Sequence, residues 1–215
     1  MISTFTCHAI LFDLDGVLVD STAGVSRVWG RWAREHNLEP QRVIDTAHGR
    51  RSIETLRLVE PRIDAAAENI RVEAMEIADT EGVIALPGAA DMLPSLPPKR
   101  FAIVTSATQA LASARLKHAG IEVPANVVAA DDVVNGKPHA EPYLKGAELL
   151  RIAPADCIVF EDTPSGIAAA RAAGMRAIGL RTTYSADKLT EAVAVVGSLA
   201  EVRVAVEGEL LRIDL

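Results

Sequence analysis

Five short apolar runs, at residues 8–12, 101–104, 127–130, 157–160 and 177–180, constrain this chain more than any other feature. Each has the length of a strand, and none shows the strict alternation of a half-exposed one, so each reads as buried on both faces. Stretches of helical character come after them, at 108–119, 142–150 and 164–173, the last ending at Gly174, a residue suited to a helix C-cap. Strands alternating with helices imply right-handed crossovers and a parallel sheet covered on both sides. The expected fold class is therefore α/β, with a Rossmann-like parallel-sheet core. At 215 residues, nearly half of them apolar, the chain can bury such a core and carry a smaller insert.

The insert is visible as a break in that rhythm. Residues 21–85 show helical patterning and no convincing strand. Trp29, Trp32 and Leu38 can share one apolar stripe, Ile53, Leu56 and Val59 a second, and Ile70, Met75 and Ile77 a third, less regular one. Leu86-Pro87-Gly88 marks the return to the sheet, residues 94–98 form a proline-rich connection, and 202–215 reads as a terminal hairpin turning at Glu207-Gly208-Glu209. We expect a core from residues 1–17 and 86–215 and a helical insert from 18–85.

An open parallel sheet binds ligands at the carboxyl ends of its strands, so the residues just after each run are the informative ones. Asp13-Leu14-Asp15-Gly16 comes after the first, Thr105-Ser106-Ala107 after the second, Gly136-Lys137-Pro138 beyond the third, and Glu161-Asp162 after the fourth. Singly, these are ordinary turn formers, helix caps or solvated charges. Together they bring two carboxylate pairs, a hydroxyl and a cation to one edge. Metal-assisted phosphoryl transfer needs that set: hard oxygen ligands for magnesium, a nucleophile with a neighbouring acid/base, and donors for the non-bridging oxygens.

The same residues carry a resemblance. Residues 12–21 (FDLDGVLVDS) are similar to the first signature of the haloacid dehalogenase superfamily, Ile103-Val104-Thr105-Ser106 to its second, Gly136-Lys137-Pro138 to its third, and residues 159–167 (VFEDTPSGI) to its fourth. The helical insert resembles the cap that one subgroup carries after its first strand. By this resemblance Asp13 would be nucleophile and Mg2+ ligand. Asp15 would be general acid/base and lend its backbone carbonyl to the metal. Thr105, Ser106, Ala107 and Lys137 would hold phosphate. Asp162 would bind the metal directly, and Glu161 directly or through a coordinated water. Asp15 also sets the chain apart from the dehalogenase branch, which lacks it. The cap segment His48-Gly49-Arg50-Arg51 resembles the substrate loop of the family's sugar and glycerol phosphatases. Gly49 would allow close approach, and Arg50 or Arg51 would offer forked donors to hydroxyls or phosphate.

The implied activity is Mg2+-dependent hydrolysis of a small sugar or polyol phosphate through a phosphoaspartate. Two alternatives share parts of the pattern: a sugar phosphomutase of the beta-phosphoglucomutase type, and a receiver-like signalling module, which would be shorter and lack the insert. A net charge of −7 argues against nucleic acid and anionic membrane as partners and leaves a small phosphorylated metabolite. The expected state is a monomer or weak homodimer. Cys7 and Cys157 read as buried reduced thiols, no segment resembles a signal peptide or membrane span, and the expected location is cytoplasmic.

Overall fold

The computed structural model describes residues 3–215. In chain order it forms β1 (Thr4–Cys7), β2 (Ala9–Phe12), β3 (Val19–Asp20), α1 (Thr22–Glu35), α2 (Pro40–Ala47), α3 (Ser52–Val59), α4 (Ala65–Ala78), β4 (Ile84–Ala85), α5 (Ala89–Ser95), β5 (Phe101–Val104), α6 (Gln109–His118), β6 (Val127–Val128), α7 (Glu141–Leu150), β7 (Cys157–Glu161), α8 (Pro164–Ala172), β8 (Arg176–Leu180), β9 (Ala194–Val196), β10 (Arg203–Glu207) and β11 (Leu210–Asp214).

Six strands make one sheet in the order β6-β5-β2-β7-β8-β9, every pair parallel. Numbered by their place in this sheet the order is 3-2-1-4-5-6, the doubly wound arrangement, whose direction of growth reverses between β2 and β7. That reversal leaves a crevice above the carboxyl ends of these two strands. Their register sets Phe12 beside Phe160, so the next residues, Asp13 and Glu161, emerge side by side. Alternate strand residues face opposite sides. Ile10, Phe12, Ile103, Phe160 and Ile178 enter one apolar layer, and Leu11, Ala102, Val104, Val159 and Ala177 the other.

Helix starts obey local chemistry. Thr108 caps α6 by accepting from Leu111 N, and Thr163 caps α8 by accepting from Gly166 N, with Pro164 in the first turn. The insert is four helices, α1 to α4, leaving and returning through the antiparallel pair β3–β4. It has an apolar cluster of its own around Trp29, Trp32, Val43, Leu56 and Val72. Cys7 and Cys157 are buried and unpaired, and among the described residues no helix is long and apolar enough to cross a membrane.

Several sequence expectations need correction. The sheet has a sixth strand, β9, and the run at 127–130 is a strand only at Val127–Val128 before a 3₁₀ turn over Ala130–Asp132. Part of the proline-rich segment belongs to helix α5, which contains Pro94. Residues 21–85 do hold a short strand, β4. The third apolar stripe holds only at Met75, which packs on the insert's cluster: Ile70 and Ile77 are exposed, and α4 turns Val72 and Glu76 inward instead. Leu38 lies beyond the end of α1, although it packs on the same cluster as Trp32. The terminal hairpin is present as β10–β11 and gains β1 as a third strand.

Candidate functional site

Asp13 stands at the switch point with its backbone N–H donating to Phe160 O at 3.0 Å. Its Oδ1 receives Lys137 Nζ at 2.7 Å, and the same ammonium donates to Glu161 Oε1 at 2.7 Å and Val104 O at 3.1 Å. All three ammonium protons are thus committed to groups of the sheet edge. Glu161 is fully enclosed. Oε1 also accepts from Tyr143 Oη at 3.0 Å, and Oε2 accepts from the backbone N–H groups of Asp162 and Thr163 and from Thr163 Oγ1, each at 2.9 Å. Tyr143 additionally presents its ring to Lys137 Nζ, 4.9 Å from the centroid.

Asp162 is buried beside them, and its Oδ1 has no hydrogen-bond partner. Carboxylate oxygens of Asp13, Glu161 and Asp162 lie within 4.8 Å of one another. Three buried carboxylates face one ammonium, and the consequence is visible in the acidities of Asp13 and Asp162. Burial pushes Asp13 up to about 7 against the pull of Lys137, and burial with the charges of Glu161 and Asp13 pushes Asp162 well above the usual carboxylate range. Burial works against the Lys137 charge, but Asp13 and Glu161 outweigh it and hold the ammonium above its ordinary value. The 2.7 Å contact favours the ionised Asp13–Lys137 pair, so the balance is a local excess of negative charge.

An orphaned buried carboxylate oxygen inside such an excess fits a hard cation. Gly16, at φ +82°, belongs to the same construction, because a Cβ there would overlap the Asp162 carboxylate. Glu161, with five donors already in place, fits an outer role better than a direct one, whereas Asp13 and Asp162 have oxygens to offer.

Asp15, 28% exposed at its side chain, lines the pocket next to Asp13. Ser21 Oγ donates to its Oδ1 at 2.6 Å, and Arg115 Nη1 donates to its Oδ2 at 2.8 Å. Thr105, Ser106 and Ala107 line the same pocket. The Thr105 hydroxyl accepts from Ala107 N at 3.0 Å, which closes the turn after β5, while Ser106 Oγ donates across to Gly49 O at 3.3 Å.

The insert supplies the opposite wall through Val25, Trp29, Ala47, His48, Gly49, Arg50, Ser52 and Glu76. Gly49 has φ +70°, and a Cβ there would come within 2.8 Å of Thr163 Cγ2, so the loop touches the core in a way only glycine permits. His48 lines the pocket with Nε2 buried and unpartnered, and burial holds the imidazole below its usual basicity. The two arginines part company. Arg50 is exposed and borders the pocket. Arg51 is not part of the pocket wall; it is paired with Glu54 and reaches Val133 O of the core at 3.4 Å.

Sequence reasoning missed Arg115 and Glu76, and gave no role to Ser21, the last residue of the first signature, or to the hydroxyl of Tyr143. Tyr143 stands in the segment after Lys137 and was within reach of a motif comparison. Arg115 and Glu76 sit in helices and carry no local signal at all.

Comparison with known proteins bears on this geometry. A family profile for haloacid dehalogenase-like hydrolases matches residues 7–174. Hexitol phosphatase A of Escherichia coli is 42% identical over 203 residues, spanning 92% of this chain and 94% of that protein. Glycerol-1-phosphate phosphohydrolase 2 of Saccharomyces cerevisiae is 35% identical over 198 residues, spanning 86% and 78%. Among solved structures, β-phosphoglucomutase from Clostridium difficile superposes with a TM-score of 0.81 at 22% identity over 92% of this chain and 93% of that one, a likeness of fold alone. A receiver-like module has neither the helical insert nor this kinship. With a carboxylate-rich crevice at the sheet's switch point and relatives aligned along nearly the whole chain, the protein belongs to the haloacid dehalogenase-like hydrolases.

Proposed function

We propose that the protein is a Mg2+-dependent phosphatase that hydrolyses a small sugar or polyol phosphate through a phosphoaspartate on Asp13. The observation that carries the reading is the buried Asp13 carboxylate, paired with Lys137 and opening on the same pocket as Asp15, in a chain 42% identical to a hexitol phosphatase. In this reading residues 1–17 and 86–215 are the catalytic core and 18–85 the cap.

An Asp13 oxygen attacks phosphorus, and the bond from phosphorus to the ester oxygen breaks. Asp15, in its protonated form, gives its proton to the departing alkoxide. Asp15 then takes a proton from a water that attacks the phosphoaspartate; the Asp13–phosphorus bond breaks, and inorganic phosphate leaves with Asp13 restored. The hydroxyl and backbone N–H of Ser106, at the turn that Thr105 and Ala107 close, hold the non-bridging oxygens. Lys137 orients Asp13 and balances charge. Asp13, Asp162 and the Asp15 carbonyl would hold Mg2+, with Glu161 behind them. Bound there, the ion would supply screening between the carboxylate nucleophile and the phosphate dianion. His48, Gly49 and Arg50 face the organic part of the substrate, while Arg51 braces the cap on the core.

The test is phosphate release from hexitol and glycerol phosphates in Mg2+, comparing the wild type with Asp13→Asn. The wild type turns over at least one of these esters, and the variant, with an unchanged circular dichroism spectrum, turns over none. Release by Asp13→Asn near the wild-type rate would remove Asp13 as nucleophile, and no release by the wild type would remove the phosphatase reading.

A further inference from the structure

Among the described residues, Arg115 is the buried cation that bridges Asp15 of the core and Glu76 of the insert. It projects from α6 and is 6% exposed. Its Nη1 reaches Asp15 Oδ2 at 2.8 Å, and its Nη2 reaches Glu76 Oε1 of α4 at 3.0 Å. Burial opposes the guanidinium charge, but the two facing carboxylates more than offset it and hold the group above its ordinary value. Burial pushes Glu76 the other way, above the usual carboxylate range, with Arg115 pulling against it. Glu76 is itself 5% exposed and, among the described residues, has no other cation within ion-pair reach. A carboxylate in such a place is costly unless its partner stays in position.

The second oxygen of Asp15 has a matching tether. Ser21, which donates to Oδ1 at 2.6 Å, is the residue immediately before α1, the first helix of the insert. Glu76 lies in α4, the last helix of the insert. Both oxygens of Asp15 are therefore tied to the insert, one directly at its beginning and one through Arg115 near its end.

We infer that Arg115 is a positioning residue: with Glu76 it links the seating of the cap to the placement of the Asp15 carboxyl. The inference rests on the phosphatase reading, in which Asp15 is the acid/base. When α4 is seated, Glu76 fixes one side of the guanidinium fork, and the rigid geometry of that fork fixes where Asp15 Oδ2 is held. When α4 moves away, Arg115 loses one of its two anchors, and Asp15 loses the restraint that keeps it beside Asp13. Proton transfer to the leaving group is then efficient only under a seated cap, at the point where water is excluded.

The experiment uses the full chain with Mg2+ and two esters. One is a polyol phosphate, whose alkoxide needs a proton to leave. The other is p-nitrophenyl phosphate, whose phenolate does not. In Glu76→Gln, kcat for the polyol phosphate falls at least tenfold with KM within about threefold of wild type, while the single-turnover burst of p-nitrophenolate slows less than threefold. Arg115→Lys retains more polyol phosphate activity than Arg115→Met, and adding Glu76→Gln to Arg115→Met lowers kcat by less than a further twofold, because both changes cut one linkage. Equal losses on the two esters overturn the inference, as do independent, multiplying losses in the double variant. A raised KM with unchanged kcat in Glu76→Gln would make Glu76 a substrate contact and also overturn it. Should Arg115→Met fail to fold, the leaving-group contrast in Glu76→Gln decides alone. A wild type inactive on both esters refutes the phosphatase reading; an active wild type matched by Glu76→Gln refutes only the linkage.

Discussion

Gly49→Ala tests how the cap loop meets the core. The geometry imposes two separate penalties. At φ +70° an alanine pays the left-handed cost, roughly 1–2 kcal/mol. Its Cβ also stands 2.8 Å from Thr163 Cγ2, closer than carbon atoms pack, which forces the loop or the threonine to yield. Overpacking of this kind costs about 1–3 kcal/mol. The second penalty exists only while the loop lies on the core, so it weakens the seated arrangement in particular. Taken alone it lowers kcat/KM for a polyol phosphate by roughly fivefold to 150-fold, at about 1.4 kcal/mol per factor of ten. The structure also supplies a rescue. Thr163→Ser deletes Cγ2 and keeps the hydroxyl that caps α8 and donates to Glu161. The next nearest threonine atoms, Cβ at 3.5 Å and Oγ1 at 3.6 Å, are then in ordinary contact with the new methyl group. The double variant should recover the overlap part of the loss and retain the backbone part. Steady-state kinetics on the four proteins, with melting temperatures to confirm folding, measure this directly. An unimpaired Gly49→Ala, or a double variant no better than the single one, would refute the contact argument.

The same site supports three other expectations. Tyr143→Phe removes one buried donor from Glu161 and leaves Lys137 in place; the cost is about 1.5 kcal/mol, near the low end for a hydrogen bond to a charged group, read as a Tm lower by roughly 3–6 °C. Arg50→Ala lowers kcat/KM for polyol phosphates more than for p-nitrophenyl phosphate, whereas Arg51→Ala, which loses the Glu54 and Val133 contacts, affects both alike; the reverse pattern would exchange the two roles. Chelation abolishes turnover, Mg2+ restores it, and Mg2+ raises the Tm of the wild type but not of Asp162→Asn, since an ion that binds only the folded state stabilises it.

The sequence by itself determined the class of fold and which residues stand at its edge. Buried strands announce themselves as unbroken apolar runs, and in a parallel sheet the residues just beyond them have one place to go. Asp13, Asp15, Ser106, Lys137, Glu161 and Asp162 are therefore legible in the sequence as residues of that edge, and the helical patterning of 21–85 marks the insert. Elements with weak local signals escaped: α5 carries a proline, and β9 has only three residues. Only the tertiary structure decided which charges meet. Apolar periodicity records which positions avoid water. It is silent on a buried carboxylate such as Glu76, whose inward turn makes sense only with Arg115, 39 residues away, and on Arg115 itself, whose other partner lies 100 residues away. The same holds for Arg50 and Arg51, adjacent and chemically identical in sequence. The turn between α2 and α3 sends one to the pocket rim and the other to Glu54 and the core, because an ion pair is chosen by distance in space, and the folding of the chain alone sets that distance.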